Sequence, residues 1–308
     1  MLDRYTENII VTSEEFENER NYWLKKLSGD LTITTLPTDY KHSMQSKDST
    51  LTETSQITGE VYDKVVSISK NSEYAMYLLL LTSAKVLLSR YTNSYDIVIG
   101  MPMFKKTSKA NSFNNLIPLR TIIKDHFTFK DLFKEVRKTV LEADEYKNFP
   151  FGKLSELLGL KDDTNILPFS NTIVLLENIH EKSCIDNIKA DTVILFKLSD
   201  SCIEVCIEYN ANLFRKETIK KVLKHLINII STTVVNPDIK LFEIEMLSEE
   251  EKHQILYQWS GTQTEYPQDK TIQELFEEYA QKSPGKIAVV YEDEQLTYKE
   301  VNDSTNRI

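Results

Sequence analysis

Residues 72–103, SEYAMYLLLLTSAKVLLSRYTNSYDIVIGMPM, hold the densest apolar run of the chain. From Met76 to Leu88 apolar side chains cover most of a helix circumference rather than one stripe, which predicts a helix packed on several sides or a membrane span. Lys85 and Arg90 interrupt the run short of the ~20 apolar residues a span needs, so a core helix is expected, with Ser72 as its N-cap. Asn93 and Ser94 supply a turn, and Asp96–Gly100 (DIVIG) is a β-branched run that suits a buried strand. A helix feeding such a strand is the middle of an α/β sandwich, onto which the other segments must pack.

Before this centre, residues 13–28 predict a helix opened by Ser13 and Phe16, with Tyr22, Trp23 and Leu27 on its apolar face and Gly29 as its stop. Residues 31–48 read as loop, with a turn at Leu36–Asp39. Residues 50–59 alternate and are rich in Thr, which predicts a strand with one wet face, and Val61–Ser69 a short helix. After the centre, 104–114 is a polar loop. Leu116–Ile123 is a strand whose Pro118 belongs at an edge or a bulge. Phe129–Asp144 is amphipathic, Gly152–Leu158 a short helix, and 161–167 loop. Strands follow at Thr172–Leu176, Thr192–Leu198 and Ile203–Tyr209, then a helix at Thr218–Val234 stopped by Pro237. A boundary is expected near residue 247, with 247–270 as linker. Beyond it stand a helix at 271–282, strands at Ile287–Tyr291 and Leu296–Tyr298 around an Asp293–Glu294 turn, and a helix from Lys299. This last piece is too small to bury a core of its own and is expected to lie on the large domain or to be poorly ordered.

A length of 308 residues and 41% hydrophobic content allow one large domain or two smaller ones. The net charge of −10 argues against nucleic acid, which requires a clustered basic surface. Cys184, Cys202 and Cys206 form no CxxC pair and read as small core residues of a reduced compartment. The first residues, MLDRYTENII, lack the apolar segment of a signal peptide, so a cytoplasmic protein with no membrane partner is expected. No glycine-rich phosphate loop occurs.

Several stretches together resemble a nonribosomal peptide synthetase. ERNYWLKKLSGDL (19–31) with LPTDYKH (36–42) is similar to the lead into the C-terminal lobe of a condensation domain, and YTNSYDIVIGMPM to its next block. SFNNLIPLR (112–120) resembles G-x-F-V-N-T-x-P-x-R at Phe113, Asn115, Pro118 and Arg120, whereas Asn111, Asn114 and Leu116 depart. YKNFPFGKL (146–154) resembles H-Q-D-x-P-F-E at Pro150 and Phe151, with Tyr146, Asn148 and Gly152 departing. IEYNANLF (207–214), through Tyr209, Asn210, Leu213 and Phe214, resembles a late strand-and-turn block. The tail, 271–302, resembles the start of an adenylation domain, with Leu296, Thr297 and Tyr298 opening its first core motif, LTYKEV.

The resemblance implies a chloramphenicol acetyltransferase-like α/β sandwich: a single lobe with a mixed sheet and flanking helices over 1–246, then linker (247–270) and an incomplete adenylation segment (271–308). It implies partners in the adenylation domain, a peptidyl carrier protein with its phosphopantetheine, an upstream subunit or a complementary lobe, with ATP used only by a complete adenylation domain. The family's H-H-x-x-x-D-G motif has no counterpart among His42, His126, His180, His225 and His253, none of which adjoins another. All five read as surface histidines, His180 being the best placed to serve as a base. Asp39 and Asp125 read as turn residues. Arg120 reads as an internal anchor, and Ser170–Asn171 as less a cleft wall than a strand lead-in. No catalytic residue, bound cofactor or metal is therefore expected. The favoured function is a non-catalytic docking or structural module, the alternative is half of a split condensation enzyme, and the third reading is a piece of a complete synthetase.

Overall fold

The computed structural model describes residues 16–29, 31, 34–41, 49–105, 116–151, 154, 157–158, 171–186, 188–259, 270–292 and 294–306. Its contacts divide the chain into two units, residues 1–252 and 253–308. The first begins its described part with α1 (Glu17–Leu27), β1 (Thr50–Thr58), α2 (Gly59–Ile68) and α3 (Glu73–Thr92). The expected central helix is α3. Every residue from Met76 to Leu88 is buried, as all-round apolarity demands. Ser72 Oγ accepts the Ala75 N–H at 3.3 Å, and Asn93 ends the helix in the left-handed region at φ 49°, which Asn tolerates better than most residues.

β2 (Asp96–Pro102) and β3 (Leu116–Ile122) follow, then α4 (Phe129–Glu145), β4 (Thr172–Leu176), β5 (Thr192–Leu198), β6 (Cys202–Asn210) and α5 (Lys216–Val235). The six strands form one mixed sheet in the order β1-β6-β5-β4-β2-β3. Strands β2, β4 and β5 are parallel to their neighbours within this central block, and β1, β6 and β3 pair antiparallel. Pro118 lies on β3, an edge strand, where a missing N–H disrupts least. It faces Gly100, and this pairing draws β2 out to Pro102, two residues past the expected end.

Alternation within the strands sorts two cores. Val174, Leu176, Ile194, Phe196, Val205 and Ile207 pack with the helices in the main core. Ile173, Leu175, Leu195, Cys206 and Leu116 point to the opposite face, where Ile185 of a 3-10 turn (Lys182–Ile185) joins them in a smaller cluster. Of the cysteines only Cys206 is buried; Cys184 and Cys202 are half-exposed, contrary to the expectation that all three sit in the core. α1 is polar over most of its surface and is held by aromatic contacts. Trp23 is fully buried, donates Nε1–H to Tyr146 O at 2.7 Å and meets the Phe151 ring edge-on at 4.8 Å. Ser13, Phe113, Asn115, Ser170, Asp293 and most of 152–158 lie outside the described residues.

A short helix, α6 (Glu249–His253), holds the last residues of the first unit and the first of the second, and Gln254–Trp259 are a π-helix. The second unit contains α7 (Ile272–Lys282), the antiparallel pair β7 (Ile287–Tyr291) and β8 (Glu294–Thr297), and α8 (Tyr298–Thr305). Tyr298 opens α8 instead of ending the strand, because Thr297 is the N-cap: its hydroxyl accepts the Glu300 N–H while Glu300 accepts the Thr297 N–H at 2.8 Å. Ile287, Val290 and Tyr291 remain 52, 60 and 71% exposed.

Candidate functional site

The sheet brings the carboxyl ends of β2 and β4 together, and there Phe104 and His180 form an antiparallel bridge. Lys105 N donates to Ile179 O at 2.9 Å, closing the chain over the ends of the two strands. His180 is fully buried, which corrects the expected surface position. Phe104 stacks on its ring at 4.8 Å and Tyr77 approaches edge-on at 4.4 Å. Nδ1 lies 3.1 Å from both the amide nitrogen and the carbonyl oxygen of Leu176, and Nε2 is buried with no hydrogen-bond partner among the described residues. Burial pushes its pKa down to about 4, against the Leu176 hydrogen bond, which favours the charged ring. The imidazole is neutral near pH 7, with Tyr77, Phe104 and Leu176 against it. A general base must come within hydrogen-bond reach of the proton it takes, and this ring has no exposed surface.

His225 is buried as well, although its neighbour Lys224 suggested an exposed helix face. Its Nδ1 is 2.7 Å from Tyr91 Oη and its Nε2 3.0 Å from Glu251 Oε2, so both ring nitrogens are engaged. Ser248 fixes the acid by donating its N–H to Glu251 Oε2 at 3.0 Å. Burial works against the Glu251 charge, but the Ser248 N–H and His225 outweigh it and hold the carboxyl below its ordinary pKa. Burial and the nearby Glu251 charge push the Tyr91 hydroxyl up to about 12. An acid orienting a histidine against a hydroxyl is the order of a nucleophilic triad. Here the hydroxyl belongs to a phenol that stays protonated, and the trio ties α3, α5 and α6 together. His126 and His253 are exposed, and His42 lies outside the described residues.

Arg120 is an anchor. Its Nε and Nη2 grip the Asp96 carboxylate at 2.9 and 2.6 Å, and its Nη1 donates to Ser28 O at 2.6 Å and Lys26 O at 3.2 Å, fastening the end of α1 to β2 and β3. Asp39 sits in its expected turn, and there it caps α5 by accepting from Arg215 N at 2.8 Å and the Thr218 hydroxyl at 3.0 Å. Asn210, Leu213 and Phe214 form the turn from β6 into that cap: Leu213 and Phe214 are buried, and both of their N–H groups donate to Asn210 O. Tyr209 is buried on the helix-covered side of the sheet with its hydroxyl unpartnered among the described residues. Pro150 and Pro118 are buried, and Phe151 backs Trp23. In the second unit Leu296 is 44% exposed and the Tyr298 ring lies 4.8 Å from that of Tyr279.

Hydrophobic patterning missed Lys85. It is fully buried in α3, and its ammonium donates to Leu119 O at 2.7 Å and Ile97 O at 3.3 Å. Burial, aided by Lys26, pulls its pKa to about 7, with Asp96 opposing. Among the described residues no group of three metal-ligating side chains gathers, and no helix is long and apolar enough to cross a membrane. Burial and Glu204 push the Cys206 thiol up to about 11, which keeps it from acting as a thiolate.

Residues 4–256 match the family model of the condensation domain. The chain belongs to the condensation-domain family of nonribosomal peptide synthetases. Gramicidin S synthase 2 of Brevibacillus brevis is 31% identical over 316 residues, which cover 96% of this chain and 7% of that protein. Bacitracin synthase 3 of Bacillus licheniformis is 31% identical over 98% of this chain and 5% of its own length. The condensation chain thus spans less than a tenth of these relatives. Among solved structures, the X-domain from teicoplanin biosynthesis superposes with TM-score 0.66 at 19% identity, covering 79% of this chain and 60% of that one. A four-domain nonribosomal peptide synthetase bound to AMP and glycine gives TM-score 0.67 at 15% identity, over 94% of this chain and 24% of that one. The condensation fold, an α/β sandwich of the chloramphenicol acetyltransferase type with a mixed sheet and flanking helices, is as the sequence implied.

Proposed function

We propose that the first unit is the C-terminal lobe of a condensation domain and acts as a docking and structural wall beside peptide-bond formation, without supplying proton transfer. The observation that carries this reading is the fate of the two buried imidazoles: one is sealed between Tyr77 and Phe104, and the other has both nitrogens engaged. The reacting groups would be acyl chains on the phosphopantetheine arms of partner carrier proteins. The second unit would open an adenylation domain whose complete form uses ATP, with residues 247–270 as the linker. Two features support this: the alignments to synthetases run through 96–98% of the chain, and β7 leaves apolar side chains bare, as a piece of a larger core does. The test is peptide-bond formation between aminoacyl- and peptidyl-loaded carrier proteins. No turnover above background is expected from this chain alone, and turnover would overturn the reading.

The alternative is half of a split enzyme, which calls for a bare apolar face; the small cluster on the face opposite the main core is instead buried, with Ile185 of a 3-10 turn joining it. A separate lobe bearing H-H-x-x-x-D-G that binds this chain and restores turnover would select that alternative.

A further inference from the structure

The exposed side of α5 carries Lys216, Lys220, Lys221 and Lys224 with a single acid, Glu217, between them. At 3.6 residues per turn, Lys216, Lys220 and Lys224 stack at successive i, i+4 positions, and Lys221 flanks them within the same half-circumference. The stripe spans about 12 Å of helix. Arg215 and Lys41 are exposed at its start. The opposite side of α5, with Ile219, Val222, Leu226 and Ile229, is buried in the main core, so Lys220, Lys221 and Lys224 have no part in packing that core.

Three of these lysines differ from those on α4 in lacking an acidic partner. On α4, Lys130, Lys134 and Lys138 each have a carboxylate within 4 Å: Asp238 at 3.3 Å, Asp131 at 3.3 Å and Glu142 at 3.9 Å. On α5, Lys216 reaches Glu53 at 3.2 Å, but among the described residues Lys220, Lys221 and Lys224 have no carboxylate at that range. Like charges at i, i+4 repel. Asp39, Glu53 and Glu217 offset this at the first turn of α5, whereas Lys220, Lys221 and Lys224 lie beyond it with no carboxylate within 4 Å among the described residues. They stand in a chain with 47 acidic against 37 basic residues.

We propose that this lysine stripe is a docking surface for an acidic face of a partner protein. Charge complementarity sets the choice of partner. A membrane-surface helix needs a free apolar face, and that of α5 is already buried. A nucleic acid presents a long run of phosphates, which the net charge of −10 opposes beyond a patch of this size. A protein surface with a few clustered carboxylates matches the stripe without meeting the rest of the acidic chain, and its approach would be steered by the local field.

The test uses the full chain and a fluorescein-labelled peptide of alternating Glu and Ser as the probe, read by anisotropy. Binding is expected at about 20 mM salt and should weaken roughly tenfold or more by about 200 mM. The triple variant Lys220→Glu/Lys221→Glu/Lys224→Glu should lose at least about tenfold in affinity. Lys220→Ala/Lys221→Ala/Lys224→Ala, which keeps helix propensity high, should show a smaller loss in the same direction. Reversal of Lys130, Lys134 and Lys138 on α4 should leave binding in place. The proposal is overturned by absence of binding, by equal losses on α4 and α5, or by tighter, stripe-dependent binding to duplex DNA or to phosphatidylserine vesicles.

Discussion

Replacing Lys85 with Met tests how a buried cation sets the stability of the central helix. The substitution keeps an unbranched stem of similar length in a closely packed site and removes the charge. In the folded chain burial pulls the Lys85 pKa from 10.5 to about 7. Between those limits the unfolded chain binds more protons than the folded one, so stability must rise with pH. Below about pH 7 the full penalty acts, and at 1.36 kcal/mol per unit it amounts to roughly 5 kcal/mol. The carbonyls of Leu119 and Ile97 favour the ammonium and make that figure an upper bound. Met would leave both acceptors without this donor, at about 1–3 kcal/mol each. Lys85→Met should therefore stabilise the first unit by roughly 2 kcal/mol near pH 6 and destabilise it by a similar amount near pH 10. The assay is urea unfolding across that range, followed by Trp23 fluorescence in a Trp259→Phe background so that only the first unit reports. Parallel pH profiles for the two proteins would refute the reasoning, because no other group in the comparison changes.

A second pH effect lies on the acid side. The folded pKa of His180, about 4 against 6.5 unfolded, means that its stability contribution is intact above pH 6.5 and lost as pH falls through 4. His180→Phe should flatten that limb of the stability profile by up to roughly 3 kcal/mol, measured by denaturant titration between those values. Arg120→Lys cannot keep both the paired grip on Asp96 and the reach to Ser28 O, so a loss of about 2–3 kcal/mol is expected, with faster amide exchange in the last turn of α1. Thr297→Ala removes one side of the α8 capping box and should cost about 1 kcal/mol, seen as faster exchange at residues 298–301 with the first unit unchanged.

The apolar rhythm of the chain carried most of the architecture. Met76–Leu88 and Asp96–Gly100 marked the centre because a buried helix and a buried strand leave no polar face to confuse the period. Element ends were less legible because partners far along the chain set them. Pro102 belongs to β2 only because Leu116 pairs with it, and Tyr298 belongs to a helix because Thr297 and Glu300 cap each other. The polar residues of the interior were the least legible. Lys85 and His225 have surface-type chemistry, and what permits their burial is a pair of strand carbonyls in one case and an acid 26 positions away in the other. Arg120 was anticipated as an anchor, but its partners Asp96 and Ser28 could not be chosen from spacing alone.

The pairing of β1 with β6 has a consequence for how the lobe is made. Thr50 sits opposite Asn210 and Thr58 opposite Cys202, so a strand finished early in synthesis waits for one made about 150 residues later. At ribosomal speeds of about 5–20 residues per second, that delay is of the order of ten seconds or more. A greasy ribbon left bare that long would invite stray neighbours, and the threonines, serine and glutamate of TLTETSQIT keep this one wettable until its mate arrives. The modest composition of this edge is thus suited to the interval before folding as well as to the finished sheet.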